Sequence, residues 1–408
     1  MKLVAKVKLL ADPAQAAALR ETLATANAAC NAISTVAYGT STFGAFDLHR
    51  AAYYDVRRRF GLPAQFAVRA TGKVADAYKT ARTANKNRAK ARAKKTKQPA
   101  TPKPLRQCQF KPMSAFPLDW KLLRWNLTAG TVSVLTLAGR LTVPFAAGPQ
   151  QRALLAQQRG ETDLILHGGT FYLATTCDVA EAPLLTPSDV LGVDLGIVNI
   201  ATDSDGNIYS GATVDAVRTR HRRLRSQLQK AGTRSATRHL ARLAGRERRF
   251  ASDTNHVIAK RLVTLAEGTG RALALEDLQG IRDRVTVRRQ QRARHHSWSF
   301  FQLRAFVAYK AQRAGVPVLI VDPRNSSREC SSCGYIDKRN RPTQDRFCCR
   351  ACGFTALADS NAATNLRARG RAALSTSPSS RPVKNEPRPR APLYFTSSDK
   401  PSPLGDGR

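Results

Sequence analysis

The sequence predicts an α/β chain: a small β unit carrying a helical insertion, then a mixed α/β domain interrupted by a four-cysteine ribbon. Three observations predict it. Apolar residues recur every second position in some stretches and at 3- and 4-residue steps in others, which separates strands from helices. Two short apolar runs, Leu191-Gly192-Val193-Asp194 and Arg271-Ala272-Leu273-Ala274-Leu275-Glu276, place a carboxylate where core residues are expected. Two Cys-x2-Cys pairs near the carboxyl end mark a small metal-bound unit.

At 408 residues the chain is long enough for two or three domains with real cores. Its 67 Lys and Arg against 29 Asp and Glu give a net charge of +38, a self-repulsion that calls for a polyanionic partner, and nucleic acid fits best. No apolar run is long enough to cross a bilayer, so no membrane partner is expected. Eight cysteines without a secretory leader point to a reducing cytoplasmic compartment and to metal ligation over disulfides.

Met1 to Leu10 alternates basic and apolar residues and reads as a strand. Asp12-Pro13-Ala14-Gln15 then opens a helix, with an acceptor at the cap, Pro at the first position and Gln three past the cap. Leu19, Leu23, Ala26, Cys30, Ile33 and Ala37 form its buried stripe, so Cys30 is a core thiol. A second helix is expected from Asp47 to Phe60, closed by Gly61-Leu62-Pro63, and a third from Ala64 onward. Lys79 to Arg106 holds eleven basic residues and no acid, and reads as an arm that orders on a phosphate backbone, with Lys90, Arg92, Lys94 and Lys95 as contacts.

Between Leu127 and Asp178 the period becomes two, and the turns Ala138-Gly139 and His167-Gly168-Gly169 mark two hairpins that Met1 to Leu10 could join. Ala180 to Asp189 is a linker. Beyond Asp194, Asp203 and Asp205 read as turn residues. Arg218 to Arg249 carries twelve basic residues and one acid, and Arg234, Arg238, Arg242 and Arg246 at i, i+4 spacing predict a phosphate-tracking ridge on one helix face. A helix from Thr254 to Glu267 precedes the Glu276 strand, the Arg-rich segment Ile281 to His296 follows it, and a helix from Trp298 to Ala314 leads to the strand Val316 to Val321.

Burying an unpaired carboxylate is costly, so Asp194, Glu276 and Asp359, each beside an apolar or small-residue stretch, suggest one shared divalent-cation site. Two alternatives stay open here. Asp277 competes with Glu276, since only one of the pair can face a given side of a strand, and Asp359 could be a plain helix cap. The Cys330, Cys333, Cys349, Cys352 pattern, C-x2-C-x15-C-x2-C with Gly334 and Gly353 after the pairs, predicts a closed structural zinc site. Cys348 could replace Cys349 only in a less regular pairing.

GVDLG with Asp194, ALEDL with Glu276, the cysteine ribbon and ADSNAATN with Asp359, in that order, resemble the split RuvC-like nuclease of TnpB proteins and of the related type V CRISPR effectors. The resemblance implies an RNase H-like (RuvC) domain at 187–326 and 356–370, interrupted by the zinc ribbon at 327–355. Ahead of these it implies a wedge-like β domain, a small barrel, at 1–10 and 107–180 and a helical recognition insertion at 11–106; after them, the Ser- and Pro-rich composition from Arg371 reads as a disordered tail at 371–408. It also implies that Asp194, Glu276 and Asp359, with Glu276 preferred over Asp277, hold two Mg²⁺ (or Mn²⁺) ions for phosphodiester hydrolysis. The expected partners are a guide RNA and double-stranded target DNA, with the protein a monomer on one RNA, near the nucleoid of a prokaryotic cell. A compact type V effector and a non-cleaving RNA-guided repressor are the alternatives, the intact carboxylate set counting against the latter.

Overall fold

The computed structural model describes residues 1–278 and 300–376, so the Arg-rich stretch Ile281 to His296 and the tail beyond Thr376 lie outside the described residues. The chain divides into two units, Met1–Val179 and Ala180 onward, each with a core of its own.

In the first unit β1 (Lys2–Leu9) leads into three helices, α1 (Pro13–Gly39), α2 (Ala45–Phe60) and α3 (Ala64–Thr96). Asp12 caps α1 as its sequence requires: the carboxylate accepts the Gln15 amide at 2.8 Å while the Gln15 side chain accepts the Asp12 amide at 3.2 Å. The expected stripe from Leu19 to Ala37 is buried throughout, and burial pushes the Cys30 thiol up to about 12, as befits a core residue. The remaining elements are β2 (Phe116–Leu118), β3 (Leu123–Asn126), β4 (Thr131–Thr136), β5 (Gly139–Ala146), α4 (Pro149–Leu155), β6 (Gln158–His167) and β7 (Thr170–Asp178). All seven strands form one antiparallel sheet in the order β2-β6-β7-β1-β5-β4-β3. Its two edge strands, β2 and β3, are joined by only the residues from Asp119 to Leu122, so the sheet must curl until its edges nearly meet.

The basic arm differs from its expectation. Residues 79–96 continue α3, so Lys90, Arg92, Lys94 and Lys95 stand on its last turns. Ala81, Ala84, Ala89, Ala91 and Ala93 supply helix propensity that offsets the like charges, and the helix is already nucleated where Phe66, Ala70, Val74 and Tyr78 are packed.

The second unit begins with β8 (Asp189–Asp194), β9 (Asn199–Asp203), β10 (Ile208–Ser210), α5 (Ala212–Ala231), α6 (Arg234–Leu243) and α7 (Arg246–Gly268). Then come β11 (Arg271–Glu276), α8 (Phe300–Ala314), β12 (Val318–Val321), β13 (Arg346–Cys348), β14 (Thr355–Leu357) and α9 (Ala358–Thr376). A five-stranded sheet runs β10-β9-β8-β11-β12, with β8, β11 and β12 parallel and β9 and β10 antiparallel.

Both faces of the central strands are covered, which is why they read as unbroken apolar runs. Leu191, Val193, Leu273 and Leu275 join a core with Ile258 and Leu262 of α7 and Leu303, Phe306 and Val307 of α8. Val190, Ala272, Ala274 and Val321 pack with Leu366 of α9 on the other face. There α9 lies so close that a Cβ at Gly192 would collide with the Ala363 carbonyl and the Arg367 amide, and one at Gly370 would meet Val190 and Ala274.

Three further expectations are corrected here. The arginine ridge is broken: α6 ends at Leu243, Gly245 takes a left-handed φ of 82°, and Arg246 opens α7, leaving only Arg234, Arg238 and Arg242 on one helix. The helix expected at Thr254 thus starts at Arg246, and residues 371–376, assigned to the tail, finish α9, where Arg371 binds Asp189 at 2.6 Å. Among the described residues no helix is long and apolar enough to cross a membrane.

Candidate functional site

The register of the parallel pair builds the carboxylate site. Leu273 lies opposite Leu191, Ala274 opposite Gly192 and Leu275 opposite Val193, so one further step sets Glu276 beside Asp194 at the carboxyl ends of both strands. The alternation that puts Gly192 and Ala274 under α9 turns Asp194 and Glu276 to that same face. The next residue, Asp277, has the other orientation and pairs with Arg304 of α8 at 3.4 Å, which removes it as a competitor.

Asp359 enters from the first turn of α9. It is not a simple cap, because its oxygens are engaged from elsewhere: Asn199 donates to Oδ2 at 2.9 Å and Arg341 sits 3.5 Å from Oδ1. The close docking of α9 on Gly192 sets this helix end over the strand ends.

The electrostatics are those of three crowded carboxylates that Arg341 and Arg369 offset only in part. Burial above all, then the charges of Glu276 and Asp359, hold the Asp194 carboxyl well above the usual carboxylate range; a hydrogen bond with Glu276 adds to this and Arg341 opposes it. Burial also raises Glu276, against the Ser326 hydroxyl donating to Oε1 at 3.1 Å, the bond to Asp194 and the charge of Arg369. Directly across the ladder from Asp194, Thr202 buries a hydroxyl that has no hydrogen-bond partner. Oxygen donors, excess negative charge and an orphaned hydroxyl fit a hard divalent cation with its bound water.

The second site is local. Cys330, Cys333, Cys349 and Cys352 bring their sulfurs within 4.8 Å of one another, the one group of metal-ligating side chains so tightly gathered among the described residues. Cys330 and Cys352 are 3.7 Å apart, and Cys333 and Cys349 3.6 Å. A disulfide requires about 2.05 Å. A tetrahedron of thiolates about 2.3 Å from a metal has edges of about 3.8 Å, so these sulfurs already have the spacing of a metal site. The Cys352 amide, aimed at the Cys349 sulfur at 3.5 Å, contributes most to lowering that thiol to about 6, which favours the ligating thiolate. Cys348 stays on β13, its backbone paired with Thr355.

Several residues that matter to the site escaped sequence reasoning. Asn361 donates to the Glu329 carbonyl and accepts the Ser331 amide, and Asn365 donates to the Ser326 and Glu329 carbonyls. They tie α9 to the segment carrying Ser326, the partner of Glu276. Two Asn four residues apart after Asp359 were the available signal, since Asn is unfavourable on a helix unless its side chain is engaged. Asp203, by contrast, is the turn residue expected, accepting the Asp205 and Asn207 amides, and Asp205 pairs with Arg271.

Residues 174–279 match the family OrfB_IS605, described as "Probable transposase", and residues 300–366 match the Cas12f1-like TNB domain. The chain is 42% identical over 119 residues to the CRISPR-associated endodeoxyribonuclease Cas12f1 of Sulfoacidibacillus thermotolerans, covering 29% of this chain and 26% of that protein. It is 27% identical over 247 residues to InsQ of Escherichia coli strain K12, whose name is that of an RNA-guided DNA endonuclease, covering 54% and 59%. To the TnpB-like protein MJ0751 of Methanocaldococcus jannaschii it is 27% identical over 157 residues, covering 36% and 56%. The chain thus spans between about a quarter and three fifths of these relatives. Among solved structures, CasPhi-2 (Cas12j) bound to crRNA has a TM-score of 0.57 at 11% identity, covering 93% of this chain and 99% of that one. The Cas12f1–sgRNA–target DNA complex has a TM-score of 0.53 at 14% identity, covering 86% and 82%, and at such identities the likeness is one of fold. Over residues 174–279 and 300–366 the chain bears out the resemblance its motifs carry, to TnpB-like proteins and the Cas12f effectors.

Proposed function

We propose that this protein is an RNA-guided DNA endonuclease of the TnpB type, cutting target DNA beside a short adjacent motif with Asp194, Glu276 and Asp359 as its catalytic carboxylates. The observation that carries the reading is the Asp194–Glu276 pair, side by side at the ends of adjacent parallel strands, with Asp359 on the first turn of the α9 that covers that face. The strand order, three antiparallel strands continued by two parallel ones with a helix on the carboxylate face, supports an RNase H-like (RuvC) domain. The relatives named as RNA-guided and CRISPR-associated endonucleases support the guide and the DNA target.

Asp194, Glu276 and Asp359 would hold two Mg²⁺ or Mn²⁺ ions. When bound, such ions activate a water and stabilise the departing oxygen of a phosphodiester. The chain itself contributes the fixed geometry. Ser326 orients Glu276, and the packing of Gly192 against α9 sets the reach of Asp359. Cys330, Cys333, Cys349 and Cys352 would hold a structural zinc that fixes the ribbon, and with four thiolates that site has no open position for chemistry.

The net charge of +38 suits a protein that grips a guide–target heteroduplex by its backbone while base pairing reads sequence. Lys90, Arg92, Lys94 and Lys95 on α3, and Arg234, Arg238 and Arg242 on α6 with Arg246 on α7, are proposed phosphate contacts. The 42% identity to a Cas12f1 over 119 residues favours a compact type V effector as the second reading, differing in the source of the guide.

The test is to express the protein with its native flanking DNA, sequence the copurifying RNA, and challenge the complex with a matched plasmid library in Mg²⁺ beside Asp194→Ala. Cleavage requiring both the RNA and Asp194 is expected. Specific RNA and target binding without cleavage would overturn the nuclease in favour of a repressor, and absence of bound RNA would overturn guidance altogether.

A further inference from the structure

We infer that Asn199 is a positioning residue for the carboxylate centre, holding the Asp359 carboxylate in the orientation that lets it share a divalent cation with Asp194 and Glu276. This rests on the proposed nuclease site.

Three features of the fold single it out. Its side-chain amide donates to Oδ2 of Asp359 at 2.9 Å, across 160 residues of sequence, and so ties the start of β9 to the start of α9. Its backbone has a close neighbour on each side, with the pairing to β10 falling at a register shift. Asn199 pairs with Ser210 of β10, and the turn from Asp194 is so tight that a Cβ on Gly196 would come 2.5 Å from the Asn199 carbonyl oxygen. A donor locked in place before any ligand arrives holds its acceptor without further ordering.

The third feature is the contrast with the other partner of Asp359. Arg341 is a cation 3.5 Å from Oδ1, so a divalent cation entering the cluster would repel it. The Asn199 amide is neutral and suffers no such repulsion. It is therefore the partner that can stay bonded to Oδ2 while Oδ1 turns to the metal, the way outer groups orient carboxylate ligands elsewhere.

The test measures Mn²⁺ binding to the purified protein–RNA complex by calorimetry, cleavage as a function of Mg²⁺, and thermal stability in EDTA. The proteins compared are wild type, Asn199→Ala, Asn199→His, which keeps an N–H donor, and Asp359→Ala as control. For Asn199→Ala the expected result is Mn²⁺ affinity weaker by about 10-fold or more, with cleavage restored toward the wild-type rate at high Mg²⁺ and little change in EDTA. Asn199→His should recover part of the affinity. If Asp359→Ala abolishes metal binding and cleavage while Asn199→Ala binds Mn²⁺ like wild type, Asn199 has no positioning role. If Asn199→Ala loses only thermal stability, its role is structural and the inference falls. Should Asn199→Ala fail to fold, Asn199→Ser, too short to reach Asp359, carries the same expectation. An Asp359→Ala protein that binds metal and cuts normally would instead overturn the carboxylate site itself.

Discussion

The two candidate metal centres are built in opposite ways. The cysteine centre draws all its ligands from Cys330 to Cys352, and its sulfurs already lie within 4.8 Å of one another. The carboxylate centre gathers Asp194, Glu276 and Asp359 from three distant segments, holds them by sheet register and helix docking, and leaves their charges in conflict. Closed local ligation serves stability, because every ligand is satisfied by the same ion. Dispersed, mutually repelling ligation suits the proposed chemistry, because the repulsion of like charges would be relieved only when cations arrive.

The contrast can be broken from either side. Withdrawing the metal from the ribbon by chelation, or replacing Cys349 with Ala, should remove a binding free energy on the order of 10 kcal/mol. Hydrogen exchange should then rise across residues 327–355 while the sheet of β8 to β12 stays protected. Asp194→Ala should do the reverse, leaving the fold intact and lowering the cleavage rate by about 10⁴-fold, as measured on a matched plasmid under single-turnover conditions. Gly192→Ala tests whether docking of α9 assembles the site. It should cost about 1–3 kcal/mol in urea unfolding and depress cleavage as well, since Asp359 moves with the helix.

A smaller effect follows from the raised Asp194 carboxyl. Its folded form binds a proton more tightly than the unfolded chain does. The stability this gives is therefore complete at low pH and is lost as pH climbs from the ordinary carboxylate value through the raised one. Thermal unfolding of metal-free protein should show this downward slope, Asp194→Asn should flatten it, and Mg²⁺ should offset it most at the alkaline end. The smallest effect belongs to Asp277→Asn, which should change cleavage by less than about 2-fold, because a half-exposed ion pair with Arg304 contributes less than about 1 kcal/mol.

Much of this organisation was legible in the sequence, for identifiable reasons. The stripe from Leu19 to Ala37, the hairpins and the cysteine spacing are local patterns, and local patterns survive into the fold. The carboxylates were legible because a charge at the end of a buried apolar strand needs an explanation. Residues that act across the sheet were not. Asn199, Ser326 and Thr202 are ordinary loop or strand residues until register and docking bring them to the site. In the basic segments the charge pattern is a poor guide to structure, because alanine content carries α3 through its run of like charges and a single glycine, Gly245, breaks the arginine row.

The docking of α9 on bare glycine backbone also has a temporal side. Asp194 and Glu276 leave the ribosome well before the helix that bears Asp359, and the ribbon cysteines emerge between them. A nascent chain can thus close its structural centre while its carboxylate cluster is still one member short and uncovered. On the proposed reading, a product that stops before α9 would lack both Asp359 and the helix that covers the carboxylate face of the sheet, and so could not complete the cluster.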